Sequence, residues 1–328
     1  MSETPPFVSG RIRWSGLVDA GLFVGLAASW LGLFGSWHWL LDLFSHFRWQ
    51  GTVVCVVALV WSAWRKRRWV LGTALLTLFL NLGLIFSSER STAAGNPAPG
   101  FHCKVISFNV LTSNQNRAGV LTWLQQADAD LIFLMEVDRE WATALQPLLT
   151  THPHHLIQTR SDNFGLALYS RLPIENTRFL DREALQLVSA SDLDLCMDSV
   201  EARFKFKDRE WTFIGTHPVP PMGGEYAAAR DQQLQALSKH ISQVGTPVLI
   251  VGDLNASPWS HGFRQLTGGS ALHPAPGNWK PTWRAGSLFG IPIDHALCSP
   301  PLFFESRSIG PDLGSDHRPQ VIEMGWNQ

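Results

Sequence analysis

The chain has 328 residues, of which 16% are charged, and carries 26 Lys and Arg against 27 Asp and Glu for a net charge of −1. That length accommodates one large globular domain and something smaller. The charge is unevenly spread: residues 1–100 hold 8 cations and 4 acids, leaving 18 against 23 in the remainder, a balance of −5 that excludes tight, nonspecific binding of duplex nucleic acid.

The first hundred residues read as a membrane region. They contain eight of the 15 tryptophans and little charge. Residues 15–36 form an apolar run long enough to cross a bilayer, residues 50–64 are shorter but flanked by Trp49, Trp61 and Trp64, and residues 69–86 give a third run. The first run is too long for a signal peptide and is followed by two more. Between the second and third lies the cluster Arg65, Lys66, Arg67 and Arg68, which belongs in the cytoplasm; Arg11 and Arg13 put the N-terminus on the same side. Three spans satisfy both, and everything after about residue 87 then emerges on the far side, in a bacterial inner membrane the periplasm. Residues 37–49, WHWLLDLFSHFRW, read as an amphipathic stretch in the interface. The expected organisation is a membrane region over 1–86, a Ser/Ala/Pro/Gly-rich linker over 87–100 and a catalytic domain over 101–328.

After the linker, strand-like runs alternate with helical patterns. Strands are expected at 103–109, 130–135, 164–169, 200–206, 210–216, 247–252, 293–298 and 319–324, with helices at 117–127, 139–149 and 225–243. Mixed strands and helices over about 225 residues fit an α/β domain. Lys207-Asp208 marks a hairpin turn between 200–206 and 210–216. Of the four cysteines, Cys55 falls in an apolar run. Cys103, Cys196 and Cys298 leave room for at most one disulfide and are expected as buried thiols.

Six polar islands stand at the ends or edges of apolar runs: Asn109 in VISFNV, Glu136 in LIFLME, His217 in IGTHP, Asp253 and Asn255 in VLIVGDLN, Asp294 in IPIDHALCS, and Asp316 with His317 in GSDHRP. A strand that is apolar along its length and polar at its tip holds that tip at the rim of a sheet. Four acids, two amides and two histidines gathered there suit a hard divalent cation and a phosphoryl group. Asn109 and Glu136 end consecutive strands joined by a crossover helix, so their tips are expected side by side. In extended backbone Asp253 and Asn255 would point the same way with Leu254 turned inward; the same GDLNASP segment also reads as a polar turn capping a helix at Ser257-Pro258. Asp294 and His317 suggest a carboxylate–imidazole pair that takes a proton from water or stabilises phosphate charge. His295 faces the other way and is read as structural. His152, His154 and His155 lack neighbouring acids and are read as an exposed loop. The HPVPPMGGE stretch is either a rigid lip over the site or a plain connection.

These islands resemble the endonuclease/exonuclease/phosphatase superfamily, whose members include deoxyribonuclease I, abasic-site endonucleases, neutral sphingomyelinases and inositol polyphosphate 5-phosphatases. The matching features are the Asn109, Glu136 and Asp294 strands, GDLN at 252–255, SDH at 315–317 and GLALYSRLPI at 165–174, over roughly residues 101–325. The resemblance implies a fold of two packed β-sheets flanked by helices, a four-layer sandwich of the deoxyribonuclease I type, and an Mg²⁺- or Mn²⁺-dependent phosphoric-ester hydrolase. It implies metal binding by Glu136, Asn109 and Asp316, and catalytic roles for His217, Asp253, Asn255, Asp294 and His317. Asp253 and His317 would prepare water, while Asn109, Asn255 and His217 hold phosphate oxygens or, for His217, protonate the leaving group. The carboxylate partner of His217 has no firm counterpart; Asp162 and Asn163 stand at the right place. Asn163, Arg171 and Arg230 are placed as substrate contacts, with structural arginines as the other reading. The substrate bond is a nucleic-acid phosphodiester, a phospholipid head-group linkage or a phosphomonoester, and a silent tethered binding or sensor domain is the non-catalytic alternative. The acidic balance and the membrane tether lead to the expectation of weak, salt-sensitive nuclease activity and of a lipid head group or small phosphoester as at least as good a substrate. The bilayer is the only other partner indicated.

Overall fold

The computed structural model describes residues 14–88, 97–187 and 195–327. Four helices open it: α1 (Trp14–Leu31), α2 (Trp39–Ser45), α3 (Arg48–Trp64) and α4 (Arg68–Ser87). α1, continued to Phe34, and α4 are each long and apolar enough to cross a membrane, whereas α2 and α3 meet that test only as a pair bent by 69°. Small buried residues, Cys55, Ala58 and Ala74, let the helices approach. A buried polar knot ties their ends: Arg48 Nη1 donates to Ser29 O (2.6 Å) and Asn81 Oδ1 (3.3 Å), and Asn81 Nδ2 donates to Ser29 Oγ (3.0 Å).

The remainder contains β1 (Pro97–Asn109), α5 (Arg117–Gln126), β2 (Leu131–Met135), α6 (Arg139–Ala144), β3 (His154–Gln158), β4 (Leu166–Ser170), β5 (Ile174–Leu180), β6 (Ser199–Phe206), β7 (Arg209–Thr216), α7 (Gly224–Ile241), β8 (Val248–Asp253), α8 (His261–Thr267), β9 (His273–Pro274), β10 (Asp294–Cys298), β11 (Leu302–Ile309) and β12 (Gln320–Asn327). They form two six-stranded mixed sheets, ordered β11-β12-β1-β2-β4-β3 and β5-β6-β7-β8-β10-β9. Period-two alternation assigns the faces. In β2, Leu131, Phe133 and Met135 enter the core between the sheets, while Ile132 and Leu134 pack outward against Val120 and Leu124 of α5 and Trp141 of α6. In β8, Leu249 and Val251 point between the sheets, and Ile250 packs with Leu234 and Leu237 of α7 and Phe263 of α8. Central strands are therefore apolar on both faces, and the layers run helix, sheet, sheet, helix. A Cβ on Gly215 would lie 2.4 Å from the Phe133 ring, so glycine there permits the close approach of the sheets.

Several elements differ from expectation. β1 begins at Pro97, inside the expected linker, most of which lies outside the described residues. The expected 139–149 helix is α6 followed by a separate 3-10 turn, Gln146–Thr150. β3, β5, β9 and β11 carried no assignment. The histidine tract is not an exposed loop: His152 is buried with Nε2 3.0 Å from Ala129 O, and His154 and His155 belong to edge strand β3. All four cysteines are free thiols.

The helices at the start do not merely precede the α/β part; they are packed into it. Asp42 of α2 is buried, receives Arg230 Nη2 at 3.0 Å from α7, and accepts His261 N–H at 2.6 Å. Ser257 N donates to His46 Nδ1 (3.3 Å), Trp259 Nε1 donates to Leu84 O (3.0 Å), and the Trp49 and Trp279 rings meet at 5.1 Å. Removing one partner of a buried ion pair leaves the other desolvated, so Asp42→Ala should destabilise the protein by about 3 kcal/mol, and Arg230→Met added to it should recover most of that loss. Thermal unfolding of detergent-solubilised full-length protein measures both; additive losses in the double variant would show that the pair is not coupled.

Candidate active site

β1 and β2 run parallel with Asn109 opposite Met135, so the two strand tips end side by side. Glu136 then takes a left-handed backbone conformation (φ 63°), an uncommon state for a non-glycine residue, which breaks the strand and turns its carboxylate back over the sheet edge. Asn109 Nδ2 donates to Glu136 Oε1 (2.9 Å), and Thr112 N donates to Oε2 (3.1 Å). In the facing sheet, antiparallel β8 and β10 place Asp253 directly opposite Asp294. Gly252 makes this tip possible: its φ is 147°, and a Cβ would collide with Thr216 O. The sheets meet here. Asn109 Nδ2 also reaches Asp253 Oδ2 (3.4 Å), and Asp253 N lies 3.1 Å from Met135 Sδ.

Asp253 Oδ2 is the hub, 3.5 Å from both His217 Nε2 and His317 Nε2. His317 Nδ1 lies 2.9 Å from Asp294 Oδ2, which fixes the ring. Burial works against the His317 imidazolium, but Asp294 and Asp253 outweigh it and raise its pKa to about 10. Burial also raises Asp253 to about 7 against the opposing pull of His317. Asp294, although buried, is held below the usual carboxylate range by His317. At His217, burial and then the His317 charge outweigh the pull of Asp294 and lower the pKa to about 3, so the ring is neutral; its Nδ1 has no hydrogen-bond partner among the described residues, and it lies 5.3 Å from the ring of Phe164. Glu136 is raised by burial, with hydrogen bonds from Asn109 and Thr112 opposing.

A cleft of about 770 Å³ opens over this cluster and is lined by Glu136, Asn163, His217, Asp253, Asn255, Asp316 and His317 among others. Pro220, Pro221 and Met222 line it as well, which makes the proline-rich stretch a lip. Asn255 is reached through a left-handed turn (φ 49°) rather than extended backbone: its N–H donates to Asp253 Oδ1 (2.9 Å), and its Nδ2 donates to Pro218 O (3.0 Å). The helix expected at Ser257-Pro258 begins later, capped by Ser260.

Two arginines lie outside the cleft. β4 runs antiparallel to β2, so Arg171, just past Ser170, sits at the opposite end of the sheet from Glu136 and pairs with Asp128 at 2.5 Å. Arg230 is 1% exposed, held by Asp42, Asp231 and the carbonyl of Asn255 (2.8 Å), and does not line the cleft; it supports the loop. Asp162 is engaged by Arg160 (2.7 Å), leaving Asp253 as the carboxylate nearest His217. Side chains not anticipated are Thr112 on Glu136, Thr282 Oγ1 receiving Asp294 N (3.1 Å), and Trp283 Nε1 donating to Asp316 Oδ2 (2.8 Å). Ser315, the first residue of SDH, donates to Asn109 O (2.7 Å) and receives His317 N (3.1 Å).

A two-sheet sandwich with carboxylates, amides and imidazoles at facing strand tips defines a class of hydrolytic phosphoester sites. The model of the endonuclease/exonuclease/phosphatase family matches residues 106–317, and the chain belongs to that family. No curated protein matches the sequence. Among solved structures, an endonuclease/exonuclease/phosphatase from Bacteroides vulgatus is similar at 18% identity and TM-score 0.57, covering 69% of this chain and 100% of that one. TDP2 of D. rerio, complexed with a single-strand DNA product, aligns at 14% identity and TM-score 0.54 over 68% and 99% of the two chains. The human Nocturnin catalytic domain with bound sulfate aligns at 20% and 0.54 over 69% and 95%.

The residues present fit the divalent cation that the family implies. Asp316 Oδ1 is buried without a hydrogen-bond partner among the described residues, and Asp316 stands near enough to Glu136 to raise its pKa further. Two carboxylates and an amide supply hard oxygen donors of the kind Mg²⁺ takes alongside water. Asp253, Asp294 and His317 also bring ligand atoms within 4.8 Å of one another, but there the His317 imidazolium already plays the cationic part.

The His317 pair makes a pH signature. Its folded pKa of about 10 lies above the ordinary 6.5, so its contribution to stability is complete below about pH 6.5 and is lost as pH rises through about 10. With chelator present, the melting-temperature gap between wild type and His317→Gln should be largest near neutral pH and close toward the alkaline end. A gap that is flat with pH would show that His317 is not protonated in the fold.

Proposed function

We propose that the protein is a membrane-anchored, Mg²⁺- or Mn²⁺-dependent phosphodiesterase whose catalytic site lies outside the cytoplasm. The observation that carries the chemistry is the site's composition: three buried carboxylates, Glu136, Asp253 and Asp294, and the half-buried Asp316, gathered around one imidazolium. Such a surplus of negative charge suits a cation and a phosphoryl group together. Glu136, Asn109 and Asp316 would hold the ion, which supplies Lewis-acid stabilisation of charge on the phosphoryl and leaving oxygens. Asp253, poised near pH 7, accepts the proton of the attacking water. His317, kept cationic by Asp294, faces the charge that accumulates on phosphorus oxygens. Neutral His217 and the amide of Asn255 position those oxygens as hydrogen-bond donors. Asn163 extends the contact along the lining of the cleft.

The membrane anchor is supported by the two apolar helices and the bent pair, and the orientation by Arg65–Arg68 between α3 and α4. A reporter active only in the periplasm should work when fused at Gln328 and fail when fused after Arg68; the reverse pattern would overturn the orientation.

Glu136→Gln, Asp253→Asn and His317→Ala should each lower turnover of a soluble diester such as bis(p-nitrophenyl) phosphate by about 10²–10⁴-fold. Chelation should abolish the activity and Mg²⁺ or Mn²⁺ restore it, while His154→Ala on β3 leaves it unchanged. Near-wild-type turnover in His317→Ala would refute the assigned roles.

A further inference from the structure

The mouth of the cleft is built from the same segments that rest on the helices. Gln50, in the first turn of α3, donates from Nε2 to Leu288 O (3.1 Å) and Gly290 O (2.8 Å). The loop carrying Leu288 and Phe289 is thus held at the depth where α3 begins, and those side chains are 84% and 65% exposed. Two residues on, Ile291 lines the cleft. On the other side of the mouth, Gly224 packs beside the Trp39 indole, where a Cβ would lie 3.3 Å from its nitrogen. Just before it, Met222 lines the cleft and is 80% exposed. Solvent-facing leucine, phenylalanine and methionine at one rim, level with the end of an apolar helix, match an interface with lipid rather than with water. Trp37, Leu40, Phe44 and Phe47, also exposed, continue this apolar belt around α2. Arg284 stacks on Trp283 (4.5 Å), donates its backbone N–H to Asp316 O, and makes no ion pair among the described residues. It sets a cation between the apolar rim and the carboxylates.

We infer that the rim formed by residues 220–226 and 284–291 seats in the bilayer interface, and that the substrate is a phospholipid whose head-group phosphodiester enters the cleft directly from the membrane. This rests on the phosphodiesterase reading above and names its substrate class. The reaction needs only water: its oxygen forms the new bond to phosphorus, the bond to one ester oxygen breaks, and the proton released by water is balanced by protonation of that leaving oxygen. Leu288 and Phe289 take no part in the bond changes; they keep the mouth level with the head groups, and Arg284 meets the phosphate on entry.

The test uses the full-length protein reconstituted into vesicles of phosphatidylethanolamine, phosphatidylglycerol and cardiolipin, with lipid consumption followed by phosphorus NMR. Wild type should consume vesicle lipid in a metal-dependent manner. Leu288→Ser with Phe289→Ser should slow this about tenfold, because two interfacial anchors are gone, while hydrolysis of bis(p-nitrophenyl) phosphate is unchanged. Leu288→Met with Phe289→Trp should retain lipid turnover. Inert lipid alongside efficient cleavage of the soluble diester or of a single-stranded DNA oligonucleotide overturns the phospholipid assignment and leaves the phosphodiesterase standing. Equal losses on lipid and soluble diester overturn the role of the rim. No turnover of the soluble diester by wild type with either metal refutes the phosphodiesterase reading, and the assignment falls with it.

Discussion

The site depends on how closely the two sheets pack. Neither sheet holds a complete set of groups: Asn109 and Glu136 end strands of one, Asp253 and Asp294 belong to strands of the other, and the bond from Asn109 to Asp253 Oδ2 spans the gap. That gap is set by interdigitation in the core. The Phe133 and Phe213 rings meet edge to face at 5.7 Å, and the bare backbone of Gly215 receives Phe133. A side chain at Gly215 would part the sheets just below the tips, and groups a few tenths of an ångström beyond hydrogen-bond reach would no longer share Asp253.

Burial shapes the electrostatics more than any single pairing does. Every titratable group of the hub is nearly inaccessible to water, so each would be neutral if alone. What separates them is who faces whom. His317 lies between two carboxylates and stays cationic; His217 shares Asp253 Oδ2 with that cation and packs against the ring of Phe164, and is neutral. Two histidines at the same oxygen thus take opposite protonation states, one serving as a charge and the other as a dipole.

Much of this was legible in the sequence because a strand with both faces buried shows as an unbroken apolar run, and a polar residue ending it is conspicuous. Asn109, Glu136, Asp253 and Asp294 all stand out in that way. β5 did not: IENTRFL alternates exposed and half-buried positions at a sheet edge and resembles a loop. β11 follows two prolines and mixes charged residues into its second half. The turn at Asn255 departs from strand alternation because it is held by a bond to Asp253, two residues back, and by one to Pro218, which no local pattern reveals. Arg171 was misplaced for want of strand direction, since antiparallel pairing carries it away from the tips. Arg230 takes the structural of its two readings, and sequence could not choose between them because its partner, Asp42, is 188 residues away.

The bonds that join α2 and α4 to residues 255–261 also redraw the boundaries of cooperative folding. By sequence the molecule divides near residue 90, between helices and sandwich. By interaction, the stretch that follows Asp253 is fastened on one side to β8 and on the other to Asp42, His46 and the carbonyl of Leu84. Opening that stretch requires breaking contacts in both regions at once, so it belongs to the same unit of local unfolding as the helices. The free energy protecting a catalytic loop is then drawn in part from helix packing, and a disturbance of that packing is felt at Asn255 before it is felt in the core of either sheet.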